Sequence, residues 1–206
     1  MKRHNVQQNT PEWLALRAGK PTASDFSKLI TSTGEPSKSL STYAITLAAE
    51  LYAGKPLDVW EGNSYTERGH ALEDDARRLY ALMHDQEPEI VGFMTDDAER
   101  YGCSPDSLVG ENGGSEIKCL KAENHIKAIL YYRKHKKCPP DYVQQVQGSL
   151  LVCERDWWDL FFFHPDLPHL TIRIMRDEDL IKSLREQIDV VIVERDRILT
   201  ELRIAA

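Results

Sequence analysis

Apolar positions in the first part of the chain recur at helical spacing. Thr10-Pro11-Glu12 sets a capping hydroxyl, a proline and an acid ahead of Trp13, Leu14 and Leu16, which predicts a short helix ending near Gly19-Lys20-Pro21. Thr22-Ala23-Ser24-Asp25 opens a second helix carrying Phe26, Leu29 and Ile30, and the polar run from Thr31 to Ser39 reads as a loop. A third helix covers Leu40 to Ala53 and is closed by Gly54 and Pro56. Between Ser64 and His84, Leu72, Ala76, Leu79, Tyr80 and Met83 keep a helical period with charge on the other side.

The pattern then changes. Glu89 to Met94, Ser107 to Gly110 and Ser115 to Leu120 are short β-favouring runs, and Gly110-Glu111-Asn112-Gly113-Gly114 is the clearest turn between them, so an antiparallel meander is expected. A helix follows from Ala122 to Lys134, then the basic loop Lys134-His135-Lys136-Lys137 and Pro139-Pro140. Asp141 is placed to cap a helix bearing Tyr142, Val143, Val146, Leu150 and Leu151. Trp157 to Phe163 is nearly all apolar and should be a strand buried on both faces; Leu170 to Met175 is another strand, and a charged helix runs from Asp177 to about Arg203. The expected fold is α/β (α+β), a mixed central sheet flanked by helices, in one domain with its core at about 10–176.

Composition narrows this picture only a little. A chain of 206 residues with 41% hydrophobic content can bury one sizeable core. No stretch approaches the roughly 18 apolar residues of a membrane span, so a soluble, cytoplasmic protein without a membrane partner is expected. The four cysteines lack any Cys-x-x-Cys spacing and read as buried free thiols. A net charge of −7 argues against a protein that coats nucleic acid, but not against an enzyme whose basic groups line a channel.

The residues that carry chemistry are Ser104-Pro105-Asp106 and, ten residues after the aspartate, Glu116-Ile117-Lys118. Alternation along a strand puts Glu116 and Lys118 on one face and Ile117 on the opposite, core side. A hairpin at the glycines brings Asp106 to within about one or two cross-strand positions of that pair. Two carboxylates, the Ile117 carbonyl and water would make an oxygen cage suited to Mg²⁺, with Mn²⁺ as a substitute. Lys118 could hold or help deprotonate an attacking water. Taken alone, the same residues also fit a solvated hairpin with an exposed Glu–Lys pair.

Five segments in order make the assignment more specific. They are Arg17 with Thr22-Ala23-Ser24, then Gly69 to Ala76 containing Glu73, then Ser104-Pro105-Asp106, then Glu116-Ile117-Lys118-Cys119, and last Tyr142-x-x-Gln145-x-Gln147. Together they resemble the phage lambda exonuclease and related YqaJ-type viral recombinase nucleases of the PD-(D/E)xK superfamily, over roughly residues 10 to 165. The resemblance implies a restriction-endonuclease-like core and an Mg²⁺-dependent 5′→3′ exonuclease on linear double-stranded DNA. Such an enzyme would release mononucleotides and leave 3′ overhangs for a single-strand annealing protein, in the cytoplasm of a bacterial host.

Catalytic roles are thereby implied for Asp106, Glu116, Lys118, Gln145 and Glu73, and metal ligation for Asp106, Glu116, Ile117 and Glu73. Arg17, Ser24 and Ser104 would hold a terminal 5′-phosphate, with Tyr142 beside the DNA. Arg17 can fork onto a phosphate, and Ser24 is expected in the first turn of a helix, where free N–H groups favour an anion. Gln144 reads as plain polar surface. The resemblance also implies a homotrimeric ring, for which the sequence carries no signature of its own. Two other readings fit the same core: a structure- or sequence-specific endonuclease, and a non-catalytic DNA-end binding protein.

Overall fold

The computed structural model describes residues 1–57 and 64–205. Helix α1 (Pro11–Arg17) begins as its sequence dictates, with Thr10 Oγ1 accepting from the Trp13 N–H at 3.3 Å and Pro11 in the first turn. Ala23–Lys28 forms a 3₁₀ helix rather than the α-helix expected from its apolar spacing. Only six residues lie between the buried Thr22 and Leu29, and Phe26 is fully buried under α5 (Pro140–Cys153), so tertiary packing sets the tighter winding. α2 (Leu40–Ala53) ends at Gly54 in the left-handed conformation, φ 68°.

Helix α3 (Ser64–His84) packs Leu72, Ala76, Leu79 and Tyr80 against one face of a five-stranded sheet. That sheet has the order β2 (Pro88–Glu89), β5 (Ser107–Val109), β6 (Gly113–Cys119), β7 (Trp157–Phe163), β8 (Leu170–Met175). All neighbours are antiparallel except β6 and β7, which run parallel because α4 (Ala122–His135) and α5 form the crossover between them. The sheet is therefore mixed and covered by helices, as the hydrophobic pattern implies. β7 is buried along nearly its whole length, as a central strand between two helical layers must be.

Several expectations are corrected. The run Glu89 to Met94 is not one strand: β2 joins the large sheet, while β3 (Phe93–Thr95) pairs with β1 (Lys2–His4) and β4 (Gly102–Cys103) in a second sheet. Gly92 lies at the switch, where a Cβ would stand 1.9 Å from the Val6 carbonyl oxygen. Gly113 and Gly114 belong to β6 rather than the turn, because any side chain there would collide with the rings of Trp157 and Trp158. Asp141 does not cap α5, since the helix already begins at Pro140 and Asp141 lies in its first turn. All four cysteines are free, but only Cys103 and Cys153 are buried; Cys119 and Cys138 are partly exposed. Helix α6 (Glu178–Ala205) is capped by Asp177, whose Oδ1 accepts from the N–H groups of Asp179 and Leu180, and it buries Ile181, Leu184, Ile188 and Val191. Among the described residues no helix is long and apolar enough to cross a membrane.

Candidate active site

The site starts from the register of β5 and β6. Ser107 faces Ser115, so the next like pair along the two strands sets Pro105 opposite Ile117. Proline has no N–H to give the ladder. The Asp106 carboxylate occupies the gap instead, and its Oδ2 accepts the Ile117 N–H at 2.5 Å. The Ile117 carbonyl, on the same edge of the strand as its N–H, receives no donor from Pro105 and is directed towards the same place. The side chain of Ile117 packs on the opposite side with Val109, Phe161 and Tyr80. A short backbone rule thus brings a carboxylate and a carbonyl together at the open end of a hairpin.

Glu116 and Lys118 share the other face of β6, against α5. Lys118 Nζ donates to Glu116 Oε1 at 2.8 Å and to Gln145 Oε1 at 3.1 Å, and Gln145 Nε2 donates to Glu116 Oε1 at 2.5 Å. Tyr142, one turn before Gln145, lies with its ring 5.7 Å from the Lys118 ammonium. Burial, then the Glu116 and Glu73 carboxylates, push the Asp106 carboxyl well above the usual range. Burial alone would lower the Lys118 pKa, but Glu116 and Asp106 outweigh it and the ammonium form is favoured.

Glu73 lines the same cleft from α3, where the side chains of the Gly69 to Ala76 motif are described from Leu72 onward. Its Oε1 accepts from Arg77 at 2.6 Å, and Arg77 also donates to Asp74 at 2.7 Å. Glu116 is paired with Lys118, and Glu73 shares Arg77 with Asp74, whereas Asp106 is held by a backbone N–H. Among the described residues no three His, Cys, Asp or Glu side chains stand together closely enough to hold a metal ion alone. The donors that do converge, carboxylates and a carbonyl, are the hard oxygen type that a Mg²⁺-like cation takes together with water. Repulsion felt by Asp106 gives such a cation something to relieve.

The cleft, about 790 Å³ in volume, continues to α1 and the 3₁₀ segment. There Arg17 donates to the hydroxyls of Ser104 (3.3 Å), Thr22 (3.2 Å) and Ser24 (3.3 Å) while its guanidinium lies 4.4 Å over the Trp13 ring. Among the described residues no carboxylate pairs with it, and burial lowers its pKa. A partly buried guanidinium ringed by hydroxyls has the chemistry that suits an anion. Ser24 contributes through its hydroxyl; the six-residue 3₁₀ segment offers no full helix terminus, so the dipole expected there is missing.

All the sequence-derived candidates Arg17, Ser24, Glu73, Ser104, Asp106, Glu116, Ile117, Lys118, Tyr142 and Gln145 thus gather along one connected path. Gln144, expected on the surface, is instead buried and donates to the Ile30 carbonyl at 3.2 Å. Gln147 bridges the Met175 carbonyl and the Asp177 N–H, fastening β8 and α6 to α5. Sequence reasoning did not single out Trp13, Arg77 or Gln8 as members of the site, and Thr22 entered only as part of the Thr22-Ala23-Ser24 motif. Gln8 Nε2 donates to the carbonyls of Val91 and Pro105, which fixes the loop before Asp106. The only local signal for Arg77 is its i+4 spacing from Glu73.

Comparison with known proteins adds an independent line. The model of the YqaJ-like viral recombinase domain matches residues 12–156. An alkaline exonuclease from Laribacter hongkongensis (LHK-Exo) is 30% identical and superposes with a TM-score of 0.82, over 94% of this chain and 96% of that one. The same enzyme in complex with dAMP is 29% identical with a TM-score of 0.81, over 94% and 96% of the two chains. A phage-related exonuclease from Haemophilus somnus 129PT shares the fold at 18% identity, TM-score 0.70, over 89% of this chain and 96% of that one. No protein of curated function matches the chain.

Proposed function

The chain belongs to the YqaJ-like viral recombinase family, and from that premise we propose that it is a divalent-metal-dependent exonuclease that degrades the 5′-ended strand of linear double-stranded DNA. The observation that carries this reading is the single cleft whose lining runs from Arg17, Ser24 and Ser104 to Asp106, Glu73 and Gln145, with Gln145 hydrogen-bonded to Glu116 and Lys118 behind it. An enzyme cutting internal sites has no need of a separate anion seat in the same cleft as its acids.

In this reading Arg17 and the three hydroxyls around it bind the terminal 5′-phosphate and fix the first nucleotide. Asp106, Glu116 and the Ile117 carbonyl would hold Mg²⁺, or Mn²⁺ in its place, with Glu73 reaching it directly or through water. When bound, the cation supplies Lewis-acid stabilisation of the pentavalent phosphate and a lowered pKa for water. Lys118 and Gln145 bracket the position of the attacking water: the ammonium offsets negative charge developing on the phosphate, and the amide orients the nucleophile. Glu116, held by both, keeps Lys118 charged and in place.

The products would be mononucleotides and a 3′ single-stranded overhang, suited to a single-strand annealing protein in the cytoplasm of a phage-bearing host. A homotrimeric ring around the DNA belongs to the same reading, as does PD-(D/E)xK chemistry. Digestion of linear duplex in Mg²⁺, with label at the 5′ or the 3′ end and a supercoiled circle as control, tests it. Release of 5′-labelled mononucleotide with an intact circle is expected; nicking of the circle would favour an endonuclease, and binding without cleavage an end-binding protein.

A further inference from the structure

A second cavity, about 270 Å³, opens between α4 and the start of α5. Its walls include Asn124, Lys127 and Tyr131 from α4 and Pro140, Asp141 and Tyr142 from α5. This volume corresponds to about nine water molecules at ~30 Å³ each, room for a flat ring and its sugar but not for a folded segment. Tyr142 links the cavity to the chemical centre, because the same side chain stands beside Lys118 and is steadied edge-on by Phe162 at 5.3 Å. The Arg17–Ser104, Asp106–Ile117 and Lys118–Tyr142 contacts, joined along the chain at 104–106 and 117–118, connect the Arg17 end of the cleft to this cavity.

The lining selects among the parts of a nucleotide. Pro139 and Pro140 have no N–H to offer, and the Asp141 carboxylate repels a phosphate, so this side of the cavity is unsuited to the backbone. Tyr131, lying against His135 at 4.5 Å between ring centres, and Tyr142 provide aromatic surface, while Asp141 and Asn124 can meet the polar edge of a base. Lys127 is paired with Glu123 at 2.5 Å, but the exposed cations Arg133, Lys134, Lys136 and Lys137, at the end of α4 and on the chain that leads to α5, are available to the phosphates outside the cavity.

We propose that this cavity is a nucleotide subsite that holds, unpaired, the base on the 3′ side of the scissile phosphate, the second nucleotide of the degraded strand. The subsite rests on the exonuclease reading. It would keep the new 5′ end in register after each cut, ready to move into the Arg17 seat.

Photo-cross-linking tests the placement. Linear 5′-phosphorylated duplexes carry 5-iododeoxyuridine at the first, second or sixth nucleotide of the 5′-ended strand, or on the opposite strand, and are bound to the full chain in Ca²⁺, with the DNA checked to be intact. Cross-links mapped by mass spectrometry to Tyr131 or Tyr142 are expected from the second position. Tyr131→Ala, with its fold verified by circular dichroism, should weaken binding of the duplex end about tenfold, the size of one lost base–aromatic stack. It should leave the preference for 5′-phosphate over 5′-hydroxyl ends unchanged. Cross-links to these tyrosines from the sixth position or the opposite strand only, or none while the enzyme still digests linear DNA in Mg²⁺, would overturn the subsite and leave the exonuclease reading standing. A chain that neither binds nor digests DNA ends would overturn both.

Discussion

The indole N–H of Trp13 donates to Ser104 Oγ at 2.8 Å, tying α1 to the loop that delivers Asp106 across 91 residues of sequence. The same indole carries the Arg17 guanidinium on its face. Trp13 thus positions both partners of the proposed phosphate seat without having to touch the phosphate. Trp13→Phe keeps an aromatic face for Arg17, though a smaller one, and removes the indole N–H with its hydrogen bond, worth about 1 kcal/mol, so the ratio of kcat/KM on 5′-phosphate to 5′-hydroxyl ends should fall about fivefold. An unchanged ratio would mean that the bond serves only to hold the fold.

Lys118→Ala removes an ammonium directed at the proposed reaction centre but leaves Asp106 and Glu116 in place. Single-turnover cleavage should slow by about 10²- to 10³-fold, while DNA binding in Ca²⁺ is retained. Cleavage at the normal rate would remove Lys118 from the chemistry.

Arg77→Gln strips the cation from Glu73 and leaves the cleft acids to repel one another. Arg77 is only 14% exposed, so stability in EDTA should drop by about 1–2 kcal/mol. Saturating Mg²⁺ should recover more stability in the variant than in the wild type, since a bound cation takes over the neutralisation. Thermal unfolding with and without Mg²⁺ reads this difference; an equal gain in both proteins would place Arg77 and Glu73 outside the metal's reach.

Cys103 and Cys153 stand with their sulfurs 3.5 Å apart in the core, and burial pushes the Cys103 thiol well up. Neither should react with a thiol reagent in the native protein, and both should be labelled on unfolding. Labelling of either at the native rate of an exposed thiol would show that the base of α5 opens.

The parts of the fold that follow a short periodicity were legible in the chain. Glu116 and Lys118 on one face with Ile117 on the other needs only the two-residue repeat of a strand, and α2, α3 and α6 follow their apolar spacing, with Gly54 closing α2 and Asp177 opening α6. What escaped depends on partners distant in sequence. Gly113 and Gly114 look like turn residues until Trp157 and Trp158 arrive from the parallel strand. β1 and β4 are too short and too polar or small to announce themselves, and Gln144 looks like surface until Ile30 supplies its partner. In the site, Asp106, Glu116 and Lys118 stood out by motif, whereas Trp13 and Arg77 are defined by what they touch.

The central claim is that one cleft couples recognition of a 5′-phosphate to hydrolysis of the next phosphodiester. Its most direct measurement is the rate of mononucleotide release in Mg²⁺ from linear duplex with 5′-phosphate or 5′-hydroxyl ends, for the wild type and for Arg17→Ala. The wild type should prefer the phosphorylated end strongly, and Arg17→Ala should lose that preference while still cutting hydroxyl ends at the wild-type rate. An equal loss on both ends, or a wild type indifferent to the terminal phosphate, would contradict it.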